Sequence, residues 1–158
     1  MSTSSEKPTI FVTRRWPDAA EDALKQHFKP TFNVDDTPLT AEQIAAGFAS
    51  HDALAPTVSD QITADIIAAG AAGSGRLIAN FGVGVNHIDL SAAASAGLAV
   101  ANTPGVLTDA TADLTLTLML MISRRAGEGE RELRAGAWKG WRPTHLMGRS
   151  LSSKTLGI

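Results

Sequence analysis

The sequence contains no cysteine among its 158 residues, and aromatic residues make up only 5% of it. The missing cysteine excludes disulfides, thiolate metal sites and a cysteine nucleophile. No segment has the roughly 18 uninterrupted apolar residues of a membrane-spanning helix, and the polar start MSTSSEKP lacks the apolar core of a secretory signal. Because apolar residues make up 44% and charged residues 19%, we expect a folded, cytoplasmic protein with no membrane partner.

Positive charge is scarce over the first three quarters of the chain. Residues 1–120 hold 6 Lys and Arg against 13 Asp and Glu, whereas residues 121–158 hold 8 against 3. The arginines of this basic end are interleaved with Glu128, Glu130 and Glu132. Such interleaving is typical of a solvated helical face. We therefore expect no nucleic-acid partner.

Short β-rich segments alternate with helical segments over residues 9–101. Strands are predicted at 9–13, 32–34, 51–55, 76–81 and 98–101. The intervening helices are predicted to start near Pro17, at a capping box of Thr40 and Gln43, at Ser59, and over 89–96. Five strands that alternate with helices predict an α/β fold, in which a flavodoxin-like parallel sheet is covered on both faces.

The pattern changes after Pro104. Residues 109–126 form a long apolar segment with an acidic residue at its start and two arginines at its end, the polarity that a helix dipole favours. Apolar residues fall on most sides of this helix, so we expect it to be buried all round at a domain or subunit interface. Residues 127–148, with Trp138 and Trp141, are predicted to form an arm. The final SLSSKTLGI is typical of a strand that is just beginning.

The candidate ligand site is the loop NFGVGVNHID, residues 80–89, which follows the fourth predicted strand. Ligands of open α/β sheets bind beyond the carboxyl ends of the strands, where glycines allow close approach to backbone N–H groups. Gly82 and Gly84 flank Val83, but His87 replaces the third glycine of a dinucleotide fingerprint. Two interpretations stay open: a set of amides that holds a small carboxylate, or a tight turn that uses glycine for steric reasons.

Other residues that could carry chemistry are scattered. The four histidines lie in different predicted elements, without the spacing of a zinc helix, so no metal site is predicted. Asp35 and Asp36 could form a phosphoacceptor pocket, but an acidic turn is the favoured interpretation. His87 and Asp89 fit a helix start better than a catalytic dyad, and no general base stands out.

A family resemblance is carried by three motifs in order: NFGVGVNHIDLSAAASAGLAVANTPGVLTDATADLTLTLMLMISRR, GAWKGWRP and KTLGI. The chain resembles the D-isomer-specific 2-hydroxyacid dehydrogenases over residues 9–158, most closely the glyoxylate/hydroxypyruvate reductases. The resemblance implies an oxidoreductase that reduces a 2-oxo acid with NADH or NADPH. It also implies a substrate lobe at 1–102, an inter-domain and dimer helix at 103–126, a dimer arm at 127–150, and the start of an NAD(P)-binding Rossmann domain at 151–158.

The resemblance assigns roles to individual positions. The loop that matches Val83 and Gly84 binds the substrate carboxylate through main-chain N–H groups in this family. Thr108 is similar to a residue beside the nicotinamide, and Trp141 resembles a tryptophan that reaches the active site of the neighbouring subunit in a homodimer. Plain roles as a helix cap or an interface anchor stay open for these two residues.

Two positions depart from the family pattern. Asn86 stands where the family usually has Asp, and Ser153 stands where glycine is common. Both departures weaken expectations about local turn geometry, but they leave the family resemblance intact.

The catalytic Arg, His and Glu of the family follow the KTLGI strand, as does its glycine-rich pyrophosphate loop. The resemblance therefore implies that the chain is a truncated gene product or fragment with no dehydrogenase activity by itself. The alternative is a non-catalytic, flavodoxin-like interaction module that captures a partner with the helix at 109–126. Aggregation of the purified chain would favour the first hypothesis, and a monodisperse monomer the second.

Overall fold

The computed structural model describes residues 6–157, and in that range the chain forms five strands and six helices. Their order is β1 (Thr9–Val12), α1 (Asp18–His27), β2 (Lys29–Phe32), α2 (Ala41–Ala49), β3 (Ala53–Ala55), α3 (Ala64–Ala72), β4 (Leu77–Ala79), α4 (Leu90–Ser95), β5 (Ala99–Ala101), α5 (Thr108–Ser123) and α6 (Ala126–Arg134). The chain divides between Gly105 and Val106 into two compact units. The first unit contains the sheet with α1 to α4, and the second contains α5 and α6.

The five strands form one parallel sheet in the order β2-β1-β3-β4-β5. In register, Ile10 lies opposite Ala53, and Ile78 lies between Leu54 and Val100. Each crossover carries a helix, as parallel neighbours require. This order is that of flavodoxin-like folds, so the predicted α/β fold is confirmed.

Side chains alternate between the two faces of the sheet, as strand geometry requires. Ile10 and Val12 of β1 pack with Ala53 and Ala55 of β3, and Leu24 of α1 packs against this cluster. The opposite face is a larger apolar cluster of strand and helix residues: Ile44, Phe48, Leu54, Ile62, Ile66, Ile67, Ile78, Ile88, Ala93 and Leu98. Helices therefore cover both faces and leave the ends of the strands as the accessible edge.

Two helix starts follow their predicted capping residues. Thr40 and Gln43 form the predicted capping box at the start of α2, with the Thr40 side chain accepting from the Gln43 N–H. Asp89 caps α4 because its Oδ1 accepts from the Ala92 N–H at 2.9 Å. The helix-start interpretation of Asp89 is thus confirmed.

Two element boundaries differ from the prediction. β2 occupies Lys29–Phe32 rather than 32–34, and it includes Pro30, which an edge strand tolerates because its outer side needs no N–H donor. α3 begins at Ala64, not at Ser59. The segment before α3 is held out of helical geometry because the Asp60 carboxylate is turned inward and Ile62 pairs with Ile88.

The second unit departs further from expectation. The helix predicted at 109–126 ends at Ser123, because Arg125 adopts a left-handed conformation with φ 55°, and α6 then starts as a separate helix. The apolar side chains of α5 are exposed in this chain, with Ile122 at 78%. The sequence predicts burial of this helix at a domain or subunit interface, which this single chain does not contain, so that burial stays a prediction.

The end of the chain, residues 151–157, contains a turn and no strand among its described residues. A strand requires a neighbour to supply backbone hydrogen bonds, and no strand of the described chain pairs with this segment. Ser153 adopts φ 59°, a conformation that favours glycine. The assignment of this segment to the start of a Rossmann domain stays a prediction. Over residues 6–157, no helix combines the length and the apolarity needed to cross a bilayer.

Candidate functional site

The candidate site is the loop from Asn80 to Asp89, which leaves β4 at the carboxyl edge of the sheet. Two backbone hydrogen bonds tie the start of the loop to neighbouring strands: the Asn80 N–H donates to Ala101 O at 2.8 Å, and the Phe81 N–H donates to Pro56 O at 2.9 Å. The loop therefore begins from a fixed position between β3 and β5. This is the edge where parallel sheets bind ligands.

Three successive carbonyl groups of the loop accept hydrogen bonds from Asn80, Asn102 and Thr103. Gly82 O accepts from the Thr103 N–H and from Asn80 Nδ2, both at 3.1 Å. Val83 O accepts from Asn102 Nδ2 at 2.9 Å. Gly84 O accepts from Asn80 Nδ2 at 2.9 Å. The buried Asn80 amide, the exposed Asn102 amide and one backbone N–H thus hold three consecutive peptide planes.

The Val83 and Gly84 N–H groups each point away from the carbonyl of their own peptide. In a trans peptide the N–H points away from the carbonyl of the preceding residue, and the chain contains no cis peptide among its described residues. Over residues 6–157, neither amide has an acceptor within hydrogen-bond distance. Two adjacent N–H groups are therefore available to an oxygen ligand.

The two glycines of the loop have different explanations. A Cβ on Gly82 would lie 2.9 Å from Val58 Cγ1, so close packing accounts for glycine there. A Cβ on Gly84 would meet no atom within 4 Å. Neither glycine has a positive φ, so left-handed backbone does not account for them. The steric interpretation holds for Gly82, whereas the space beside Gly84 is open.

A shallow depression of about 350 Å³ lies beside this loop, bounded by Val58, Gln61, Gly84, Asn86 and His87. The side chain of Val83 is 37% exposed. Gln61, Asn86 and His87 bring polar groups to a lining that is otherwise apolar, and the Gly84 N–H, which makes no hydrogen bond among residues 6–157, is the feature that favours an anion here.

Asn80 and His87 form a polar pair beneath the loop that the sequence motifs did not predict. Asn80 is only 3% exposed, and its Oδ1 lies 2.9 Å from His87 Nε2. Burial lowers the pKa of His87 from its ordinary value of 6.5, while the negative charge of Asp60 opposes this shift. The one available signal was a polar residue directly after a buried strand, which must find partners for its amide group.

An aromatic pair flanks the same edge of the sheet. The rings of Trp16, after β1, and Phe81, after β4, have centroids 4.7 Å apart. Phe81 remains partly exposed. These rings supply an apolar surface on the segment that adjoins Gly82, and sequence spacing gave no indication that they would meet.

Asp36 lies in the acidic turn after β2 that the sequence predicted. Its Oδ1 accepts from Arg14 Nε at 2.8 Å and from the Arg15 N–H at 3.0 Å. These two hydrogen bonds lower the pKa of Asp36 to about 2. Asp36 has φ 52°, as a turn residue does. Its carboxylate is engaged in holding the β1 and β2 loops together, which supports the interpretation as a turn over a phosphoacceptor pocket.

The other two predicted site residues belong to the second unit. Thr108 is the first residue of α5, but Leu107 occupies the N-cap position and the Thr108 side chain makes no capping hydrogen bond. The interpretation of Thr108 as a helix cap is therefore wrong. Trp141 is 82% exposed and Trp138 is half-exposed. Neither tryptophan anchors an interface within this chain.

The segment that carries Trp141 is held against α6 by charged and polar groups. His145 Nε2 lies 2.7 Å from Glu132 Oε2, and Arg142 Nη2 lies 2.8 Å from His145 Nδ1. Because a guanidinium can only donate, His145 Nδ1 accepts from Arg142, while the His145 ring lies beside the Glu132 carboxylate without a hydrogen bond from Nε2. The arm is thus fixed on α6 while its tryptophans face outward.

The sequence and the fold were compared with known proteins. The family model described as D-isomer specific 2-hydroxyacid dehydrogenase, catalytic domain, matches residues 10–156. A glyoxylate reductase of Korarchaeum cryptofilum is 36% identical over 153 residues, which cover 96% of this chain and 46% of that protein.

Many solved structures match the fold of the chain. A protein from Polaromonas sp. JS6 66 matches with a TM-score of 0.85 and 39% identity, covering 93% of this chain and 46% of the other. An NADPH-dependent glyoxylate/hydroxypyruvate reductase from Sinorhizobium meliloti, in complex with NADP and malonate, matches with a TM-score of 0.77 and 29% identity, covering 95% and 45%. The chain spans about half the length of these relatives, and it belongs to the D-isomer specific 2-hydroxyacid dehydrogenase family.

Proposed function

We propose that the first unit is the substrate-binding lobe of an oxidoreductase that reduces a small 2-oxo acid, such as glyoxylate or hydroxypyruvate, with NADH or NADPH. The observation that supports this most directly is the pair of open amides on Val83 and Gly84 at the carboxyl edge of β4. These two N–H groups lie on adjacent peptides and make no hydrogen bond among residues 6–157, so they can serve the two oxygens of a carboxylate. A related reductase binds NADP and malonate, a molecule that carries carboxylates.

The chemistry of the loop is binding and orientation. A carboxylate held by the amides of Val83 and Gly84 is fixed at one end, so the neighbouring carbonyl carbon of a 2-oxo acid takes a defined position. The nicotinamide cofactor supplies the hydride when it is bound. His87, the histidine of this loop, is committed to Asn80. We therefore expect residues 1–158 alone to bind the acid and to show no NADH or NADPH oxidation.

The second unit completes the proposal. We assign α5 to an inter-domain and dimer helix, residues 127–150 to a dimer arm, and Thr108 to the neighbourhood of the nicotinamide. The exposed side chain of Trp141 fits a residue that reaches the active site of a partner subunit.

A binding experiment tests the substrate lobe. In the ¹⁵N-labelled chain, oxamate, an unreactive analogue of a 2-oxo acid, should shift the amide resonances of Val83 and Gly84 more than the remaining amides. The uncharged ester, ethyl oxamate, should produce no such shift because it lacks the carboxylate. Equal responses to both compounds, or no response at the two amides, would contradict a carboxylate site on this loop.

An activity experiment tests the reaction. A chimera should join this chain to the portion of the Sinorhizobium meliloti reductase that lies beyond the matched region. We expect the chimera to oxidise NADPH in the presence of glyoxylate. A folded chimera that binds NADPH and leaves glyoxylate unreduced would argue against the assignment.

The exposed apolar side chains of α5 favour one alternative, in which the chain is a non-catalytic module that captures a protein partner through this helix. The two functions differ in the oxamate titration. A binding module with no substrate lobe would leave the Val83 and Gly84 amides unchanged.

A further inference from the structure

Asn80, the first residue of the candidate loop, bonds through its side chain to three other residues of that loop. Its side chain follows β4 and is almost fully buried. Nδ2 donates to two carbonyls of the loop, Gly82 O at 3.1 Å and Gly84 O at 2.9 Å, and Oδ1 faces His87 Nε2 at 2.9 Å. The NH₂ group and the carbonyl oxygen of the Asn80 side chain thus both bond to residues of this one loop.

The orientation of this amide follows from its partners. Carbonyl oxygens only accept, so the group that faces Gly82 O and Gly84 O must be the NH₂ of Asn80. Its Oδ1 then accepts from His87, which requires the proton of the neutral imidazole to reside on Nε2. A rotated Asn80 amide would place oxygen against two carbonyls and NH₂ against the N–H of His87.

Asn80 holds, through hydrogen bonds, the two peptides that flank the one containing the Gly84 N–H. Its bond to Gly82 O orients the plane that carries the Val83 N–H, and its bond to Gly84 O orients the plane that follows Gly84. Asn102 holds the plane between them through Val83 O. Without the two donors of Asn80, Gly82 O keeps the Thr103 N–H, whereas Gly84 O has no other hydrogen-bond partner among residues 6–157, so the peptide between Gly84 and Val85 is free to rotate.

We propose that Asn80 is a positioning residue: it holds the peptides on either side of the Gly84 amide, Asn102 holds the peptide between them, and the Val83 and Gly84 N–H groups thereby keep their direction toward the substrate carboxylate. His87 fixes the orientation of the Asn80 side chain. This inference rests on the proposed function of the loop. Asn80 itself lies on the inner side of the loop and does not touch the carboxylate. Its effect is on the direction of the N–H groups that do.

The test uses the full ¹⁵N-labelled chain with Asn80→Leu and Asn80→Asp. Leucine removes both donors without adding charge, so it separates positioning from the repulsion that an aspartate would exert on an anion. Two readouts are taken: the heteronuclear NOE of the Val83 and Gly84 amides without ligand, and the dissociation constant for oxamate. We expect lower NOE values and an affinity for oxamate weakened about tenfold in both variants, as loss of well-aligned hydrogen bonds implies.

Asn33 offers a matched control elsewhere in the same unit. Its Nδ2 also donates to two backbone carbonyls, Thr13 O at 2.8 Å and Thr37 O at 2.7 Å. Asn33→Leu therefore removes the same kind of contact from a different loop. We expect Asn33→Leu to lower thermal stability while leaving oxamate affinity and the NOE of Val83 and Gly84 unchanged.

His87 provides a second test that leaves Asn80 in place. His87→Gln retains an N–H donor for Asn80 Oδ1, whereas His87→Leu does not. We expect His87→Gln to bind oxamate nearly as wild type does and His87→Leu to bind about threefold more weakly, since only one of the bonds that fix Asn80 is lost.

The outcomes separate the two proposals. Folded Asn80→Leu with unchanged NOE values and unchanged oxamate affinity would overturn the positioning role. If wild type gives no oxamate response but the loop still loses order in Asn80→Leu, the carboxylate function fails and the control of the loop by Asn80 stands. If Asn80→Leu does not fold, equal oxamate affinities in His87→Gln and His87→Leu would overturn the proposal.

Discussion

Gly84→Ala should separate stability from ligand binding. A Cβ at this position meets no atom of the chain within 4 Å, and the φ of Gly84 is not in the left-handed region. Alanine therefore introduces no clash in the folded state and reduces the conformational freedom of the unfolded chain. We expect the free energy of unfolding to rise by about 0.4 to 1 kcal/mol. For a chain of this size, that change corresponds to an increase in Tm of about 2 to 4 °C at most.

The same methyl group would project beside the amide that we assign to the substrate carboxylate. It would occupy the open space next to the Gly84 N–H, so we expect oxamate affinity to fall at least about tenfold, which corresponds to about 1.4 kcal/mol. Thermal unfolding followed by circular dichroism gives the first quantity, and the ¹⁵N titration gives the second. Gly127→Ala is the control, because a Cβ there would be 3.4 Å from the flexible end of Arg131, in α6, and should leave oxamate binding unchanged.

Two results would refute this reasoning. A fall in Tm of more than about 4 °C for Gly84→Ala would mean that the space beside Gly84 is needed by the chain itself. Unchanged oxamate affinity would mean that the anion does not approach this amide. A gain in stability together with a loss of binding is the signature of a glycine retained for a ligand.

Three further predictions concern charge and exposed surface. Asp60 is 6% exposed and accepts hydrogen bonds from Thr13 Oγ1 at 2.6 Å and from the Thr57 N–H at 2.8 Å. Asp60→Ala should therefore lower the free energy of unfolding, measured by urea titration, by about 2 to 3 kcal/mol. A loss below about 0.5 kcal/mol would show that these bonds contribute little. The pKa of Asp36 is lowered from 3.8 to about 2, so its contribution to stability is present above pH 3.8 and is lost as pH falls toward 2. Asp36→Asn should therefore make the free energy of unfolding less dependent on pH in that range. A ¹³C titration midpoint near 3.8 for Asp36 would contradict the ion pair with Arg14. The exposed apolar side chains of α5 should make the purified chain self-associate. Ile122→Lys should shift its size-exclusion elution toward the monomer, whereas Val34→Lys, at an equally exposed site in the first unit, should not. A monomeric wild-type peak would contradict the interface role of α5.

Much of the first unit could be predicted because its elements obey local rules. Alternation of short apolar strands with helices fixes a parallel sheet, and the Thr40 capping box specifies a helix start to the residue. The errors occur where tertiary contacts override local preference. Asp60 follows a good helix-starting residue, Ser59, but its carboxylate bonds to Thr13, which lies 47 residues earlier in the chain, and α3 is delayed to Ala64.

In the second unit, the sequence pattern predicted the helix but could not predict its surroundings. Its apolar pattern predicted a helix correctly, but the burial of that helix does not follow from its pattern alone. Apolar residues on most sides of α5 require other surfaces to cover them, and the described chain covers few of them. The break at Arg125 was also not predictable, since no glycine or proline marks the position where φ becomes positive.

In the candidate site, the accessible backbone can be predicted from the sequence, whereas the direction of its amides cannot. Glycines around Val83 mark a loop whose backbone is accessible, because the absence of a side chain is visible in the sequence itself. The direction of the amides is set instead by hydrogen bonds to the carbonyls on the other side of each peptide plane, and those bonds come from Asn80 and Asn102. Nothing in the spacing of the loop distinguishes these two asparagines from ordinary turn residues. A site built from backbone N–H groups therefore depends most on side chains that never contact its ligand, and substitution of those side chains should change binding without altering the motif.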